Sequence, residues 1–239
     1  MGARRAAGGR PGAWAPVAAG LTGDGHDVTQ FALASYATQV IANAVGSQTD
    51  TSPPVTTLYL VRHAHADWDP DNGRPLSERG RAAAAVLAGL LGRFPIDAIY
   101  SSPARRALET VEPLSKHLEL QPIIVSDLRE RELIVVPGMD FEAAVQAAWL
   151  APATARAGAE SHVTAQARGL AAIRKIVDEQ MGGRTVVATH GNLLALILNG
   201  LRPAFGFDFW RGLTFPDVYE LRFQRTALVN VRRIWDEAA

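Results

Sequence analysis

No cysteine occurs among the 239 residues. Its absence excludes disulfide staples, thiolate metal sites and every mechanism built on a cysteine nucleophile. It fits a reducing compartment, and the cytoplasm is the expected location. Net charge is absent too: 24 Lys and Arg are balanced by 24 Asp and Glu. No global field therefore draws the chain to nucleic acid or to an anionic membrane, and any anion must be recognised locally. A clean membrane span is also missing. Residues 28–45 carry no charge, but Gln30, Gln39 and Asn43 interrupt them, and the layout of a secretory signal is not present. Large apolar residues are scarce from Met1 to Gly25, where Gly, Ala, Pro and Arg dominate. Such a composition buries too little surface to order itself. Residues 1–55 are accordingly expected to be a disordered or loosely docked extension, with a transit peptide or a mis-assigned start codon as alternatives. Thr51-Ser52-Pro53-Pro54 punctuates its end. Residues 56–239 are long enough for one domain with a sizeable core.

Past that boundary strands and helices alternate. Thr57–Val61 reads as a buried strand, followed by a polar loop and a helix from Ser77 to about Leu91. Ala98–Ser101 is a second strand. Ser102-Pro103 has the form of an N-cap and first turn, opening a helix to about Leu118. Pro122–Val125 is a third strand, Phe141–Trp149 a short helix, and Thr164–Met181 a longer one closed by Gly182-Gly183. Thr185–Thr189 is again apolar, and a helix runs from Asn192 to about Leu201. Val218–Gln224 and Leu228–Ile234 are closing strands. Unbroken apolar strands separated by helices predict an α/β fold, a three-layer α/β/α sandwich around a mostly parallel sheet.

Two of these strands end in histidine: His63, directly after Arg62, and His190, directly before Gly191. A third ends at the turn leading to Arg105 and Arg106. Ligands bind at the carboxyl edge of such sheets, so these groups can converge although they are distant in sequence. An imidazole beside a guanidinium there can serve as nucleophile or base next to an anion site.

Taken together, the motifs resemble those of the histidine phosphatase superfamily, which includes the cofactor-dependent phosphoglycerate mutases. Arg62-His63-Ala64 resembles its Arg-His-Gly signature, and Leu76-Ser-Glu-Arg-Gly80 its Leu-Thr-Glu-x-Gly helix start. Ser101–Thr110 is similar to its Ser-Ser-x-x-x-Arg-Ala-x-x-Thr segment. Leu128-Arg-Glu130 resembles the segment that holds the acid, while Ala159-Glu-Ser161 and Thr189-His-Gly191 match later elements. The resemblance spans roughly residues 57–234 and implies a phosphoglycerate mutase-like fold.

It also implies roles. Neutral His63 would attack phosphorus and form a phosphohistidine. Arg62, Arg106 and His190 would bind the phosphoryl oxygens, where charge must be stabilised. Glu130 would protonate the leaving alkoxide and then activate water, with Glu132 as its competitor. Helical neighbours diverge by about 100°, and the family spacing selects Arg106 over Arg105. Glu160, Ser161 and Gly191 would support the site. No metal or other cofactor is required.

The expected function is a metal-independent phosphomonoesterase acting on a small phosphorylated metabolite, with no nucleic-acid or membrane partner. The oligomeric state is open, a homodimer among the options. Only about sixty residues separate Glu130 from His190. The mutases carry a longer insertion there, so hydrolysis is favoured over phosphoryl return to a second substrate. Phosphoglycerate mutase and phosphohistidine protein phosphatase remain alternatives, as does a non-catalytic phospho-ligand binder. A metal hydrolase using His63-x-His65 would leave the arginines unexplained. Ala64 replaces the signature glycine, and Asp69 stands near where mutases carry a phosphate-holding asparagine. The specificity cap is expected from residues 131–162 and 201–216, with Phe205, Phe207, Phe209 and Trp210 as a candidate aromatic rim.

Overall fold

The apolar run ending at Arg62 forms the strand β1 (Val55–Arg62), whose six interior residues are all buried. A strand buried on both faces needs cover on both, and the alternation of side chains does the sorting. Leu58 and Leu60 enter one apolar cluster, while Tyr59 and Val61 enter another. The computed structural model describes residues 53–69, 71, 73–135 and 138–236. The expected extension, apart from residues 53–55, lies outside the described residues, as does the uncharged stretch 28–45.

After β1 come α1 (Glu78–Leu91), β2 (Ala98–Ser101), α2 (Arg105–Leu118), β3 (Ile123–Ile124) and a 3-10 turn (Ser126–Leu128). They are followed by α3 (Phe141–Leu150), α4 (His162–Glu179), β4 (Arg184–Thr189), α5 (Gly191–Leu201) and α6 (Phe207–Arg211), and finally by β5 (Asp217–Gln224) and β6 (Ala227–Arg233). The strands form one sheet in the order β3-β2-β4-β1-β5-β6. The first four of that order are parallel, whereas β5 and β6 attach antiparallel. Helices α4 and α5 cover one face and α1 and α2 the other. This is the three-layer sandwich with a mostly parallel sheet. Among the described residues no helix is long and apolar enough to cross a membrane.

Register carries the functional geometry. Arg62 lies beside Thr189, and Ser101 beside Ala188. The residues that follow, His63, Ser102 and His190, therefore leave the sheet together.

Local signals misplaced some boundaries. Helix α2 begins at Arg105 with Ala104 as its N-cap and no side-chain cap, because Ser102 is engaged elsewhere. Helix α4 begins at His162, since Ser161 Oγ accepts from Thr164 N at 3.1 Å. Strand β3 is only two residues long and exposed on the sheet edge.

Candidate active site

His63 is buried at the carboxyl end of β1. Its Nδ1 lies 2.7 Å from the Ala64 carbonyl oxygen. A carbonyl only accepts, so Nδ1 carries the proton and Nε2 keeps its lone pair. Arg106 Nε donates to that Nε2 at 3.2 Å. The backbone is fixed as well: His63 N donates to Thr189 O, and Ala64 N to Thr110 Oγ1. Thr110 in turn donates to Arg106 O, so one threonine joins the loop after β1 to the first turn of α2. The methyl of Ala64 is accommodated against Leu76 and Ala84. Burial pushes the His63 imidazole down to about 3, helped by Arg106, Arg62 and Arg74 and opposed by the Ala64 carbonyl. The ring is therefore neutral at physiological pH.

Arg62 is gripped on three sides. Its NH1 donates to Leu213 O at 2.8 Å, and its guanidinium carbon sits 3.4 Å from the centre of the Phe215 ring. Gly191 closes the third side: a Cβ there would lie 3.0–3.1 Å from the guanidinium. Burial lowers Arg62 to about 10, against the raising effect of Glu130 and Asp217. It remains a cation at neutral pH.

His190 is wholly buried and stands edge-on to His63, with ring centres 5.2 Å apart. Its Nε2 meets Ser102 Oγ at 2.8 Å, whereas Nδ1 has no partner. Burial, then the neighbouring His63 and Arg106, hold it well below the ordinary histidine range. His190 is not among the residues that line the cavity holding His63, Arg62 and Arg106.

Glu130 does line the cavity. Its Oε1 accepts from Arg131 N and Leu193 N, at 2.8 and 3.0 Å, and Oε2 from Asn192 N at 3.1 Å. Two of these donors are free amides of the first turn of α5, a natural seat for a carboxylate. The competitor Glu132 is exposed. Arg105 also turns away, pairing with Glu109 at 2.6 Å. Glu160 holds Arg168 through both carboxylate oxygens, while its carbonyl accepts from Arg131 Nε at 2.8 Å. Arg168 additionally bonds the carbonyls of Asp127 and Arg129, which ties α4 to the segment that delivers Glu130. His65 binds Ser77 Oγ at 2.8 Å, so it anchors the loop to α1 and does not join His63 in a chelate. Asp69 offers its carbonyl to Arg74 N.

The cavity has a volume of about 480 Å³. Arg74, Asn192 and Trp68 escaped sequence reasoning, whereas Arg131, Phe141 and Phe215 fall within the two stretches expected to form the cap. Buried polar atoms without partners gather there, among them Arg62 Nε, Arg74 Nε, Arg131 NH1 and Asn192 Oδ1. Of the four expected rim aromatics only Trp210 lines the cavity. Phe205 and Phe209 pack on the core, and Phe207 stacks on Trp210. Among the described residues no cluster of three or more His, Asp or Glu side chains is gathered to hold a cation. What the site offers is a partly screened nucleophilic nitrogen, several guanidiniums around it and one oriented carboxyl.

Comparison with known proteins gives a consistent setting. The profile of the histidine phosphatase superfamily (branch 1) matches residues 58–231. A metal-independent phosphoserine phosphatase of Arabidopsis thaliana is 30% identical over 162 residues, 60% of this chain and 67% of that protein. Glucosyl-3-phosphoglycerate phosphatase of Mycobacterium tuberculosis is 30% identical over 161 residues, covering 59% and 72%. Among solved structures, mycobacterial hydrolase 1 superposes with a TM-score of 0.61 at 25% identity, over 77% of this chain and 100% of that one.

Proposed function

The chain belongs to branch 1 of the histidine phosphatase superfamily and is a phosphoric monoester hydrolase; on that premise we propose that it works without a metal, through a phosphohistidine on His63, on a small phosphorylated metabolite. The observation that carries this reading is the tautomer of His63. With Nδ1–H held by the Ala64 carbonyl and Nε2 beside Arg106, the lone pair is aimed where a phosphoryl group would be bound.

The chemistry then follows from placement. Arg62, Arg106 and Arg74 receive the phosphoryl oxygens and stabilise charge in the transition state. His63 Nε2 forms a bond to phosphorus as the bond to the ester oxygen breaks, and Glu130 gives that oxygen its proton. In the second half Glu130 takes a proton from water, whose oxygen attacks phosphorus and releases orthophosphate and neutral His63. His190 and Ser102 position the His63 ring. Gly191 lets Arg62 close onto the site. Glu160, through Arg131 and Arg168, holds the acid's segment in place, and Ser161 caps the helix behind it.

Water as the acceptor is favoured over a second substrate because, among the described residues, Trp68 at the cavity's rim is left 77% exposed. Rapid quench in alkaline denaturant with a labelled phosphomonoester tests the proposal: the label is expected on the protein, stable in alkali and lost on acidification. His63→Ala should abolish both the label and turnover. Full activity in that variant overturns the mechanism.

A further inference from the structure

The catalytic cavity combines two chemistries. Around His63 it is cationic. Toward solvent it is apolar, lined by Trp68, Leu133, Val135, Phe141, Trp210 and Phe215. Three of these aromatics meet water: Trp68 is 77% exposed, Phe141 52% and Phe215 42%. Aromatic rings left at the mouth of a cleft mark a surface that a ligand covers. They are also held in place. The Arg74 guanidinium lies 4.6 Å from the centre of the Trp68 ring, Phe141 and Trp210 are 6.2 Å apart, and Phe207 stacks on the far side of Trp210 at 5.6 Å. Phe215 brings the apolar wall to within 5.5 Å of the nucleophile's ring.

The polar groups of the lining argue against two other kinds of substrate. An ammonium group, as in a phosphoamino acid, needs an acidic partner. Among the described residues the one carboxylate in the lining is Glu130, whose oxygens already take three backbone amides, and four guanidiniums share the cavity with it. The hydroxyls of a sugar need hydrogen-bonding partners through the outer half. Among the described residues the outer half offers, beyond the arginines, only Asn192, Glu130 and the indole N–H groups of Trp68 and Trp210, which donate and do not accept. Burying such hydroxyls against Leu133, Val135 and Phe141 leaves them unsatisfied.

Building on the phosphatase reading, we propose that the substrate is an arylalkyl phosphomonoester whose ring lies against Trp210 and Phe141 with Phe215 beneath, so that the alcohol released is apolar and flat. The phosphoryl group stays on the arginines, and the ring displaces water from the aromatic walls.

Steady-state kcat/KM for 2-phenylethyl phosphate, ethyl phosphate and O-phosphoserine tests this. All three are esters of primary alcohols, so leaving-group chemistry is nearly matched. The arylalkyl ester is expected to exceed each of the others by about tenfold or more, the scale of discrimination an apolar pocket supplies. The ratio of 2-phenylethyl to ethyl phosphate should fall about fivefold or more in Trp210→Ala and in Phe141→Ala. Equal or faster turnover of ethyl phosphate or phosphoserine overturns the proposal, and so does a ratio unmoved in both variants. If none of the three is hydrolysed, the phosphatase reading itself fails. Equilibrium binding then decides the present proposal: 2-phenylethylphosphonate is expected to bind about tenfold tighter than ethylphosphonate, and equal affinity overturns it.

Discussion

Arg106 shows how one side chain acts twice. Its Nε–H meets the lone pair of His63, and its charge helps keep that ring neutral. Replacing it by leucine should lower kcat/KM by about 10²–10³, the usual effect of losing one transition-state donor. The pH profile should also move. In the native protein His63 is neutral above about 3, so it sets no acid limb in the ordinary range. Without Arg106 the ring binds a proton more readily, and the acid limb of kcat/KM should shift to higher pH while burial still holds it below 6.5. A pH–rate profile for Arg106→Leu checks this, and an unmoved limb contradicts it. Arg106, like Arg62 and His63, was legible because it sits at the end of a regular element, where the sheet's edge can be inferred. Arg74 was not, and Arg131 was legible only as the first residue of a stretch expected to form the cap. Their positions depend on bonds across irregular loops, from Arg74 N to Asp69 O and from Arg131 Nε to Glu160 O. No periodicity encodes such contacts.

At the scale of elements, the start of α5 is the joint of the site. It carries Gly191 against Arg62 and seats Glu130 on its first amides. Gly191→Ala should push the Arg62 guanidinium aside and cut kcat/KM by about 10- to 100-fold. The melting temperature should stay nearly unchanged, because Gly191 opens α5 with a backbone conformation that alanine also adopts. Parallel kinetics and thermal melts of the variant test this, and intact kinetics would refute the packing argument. The strands were readable because a two-faced core requires continuous apolar runs. The start of α2 was misread for the opposite reason: a local cap signal at Ser102 lost its hydroxyl to His190, 88 residues away in sequence.

At the scale of the whole molecule, three imidazoles buried among the described residues make folding sensitive to acid. Burial lowers His63 to about 3 and His162 to about 4, and holds His190 low as well. Unfolded, each titrates near 6.5. The unfolded chain therefore binds more protons below that pH. Stability is full above about 6.5 and declines as pH falls toward 3, by up to about 1.4 kcal/mol per pH unit for each ring. His162 is separable from the chemistry: both its ring nitrogens lack partners, and it packs edge-on against Trp149 at 4.9 Å. His162→Phe should stabilise the protein by about 1–2 kcal/mol at pH 5 and change it little at pH 7. Urea titrations at the two pH values measure the difference, and equal effects at both would contradict the linkage. The same buried charge pattern reaches into turnover. The chain is neutral overall, yet Arg62, Arg74, Arg106 and Arg131 converge on one cavity. A cage built to hold a phosphoryl dianion does not distinguish it from the orthophosphate it sets free. On the proposed mechanism orthophosphate should therefore compete with the ester, and turnover should follow the ambient phosphate pool as well as the supply of ester.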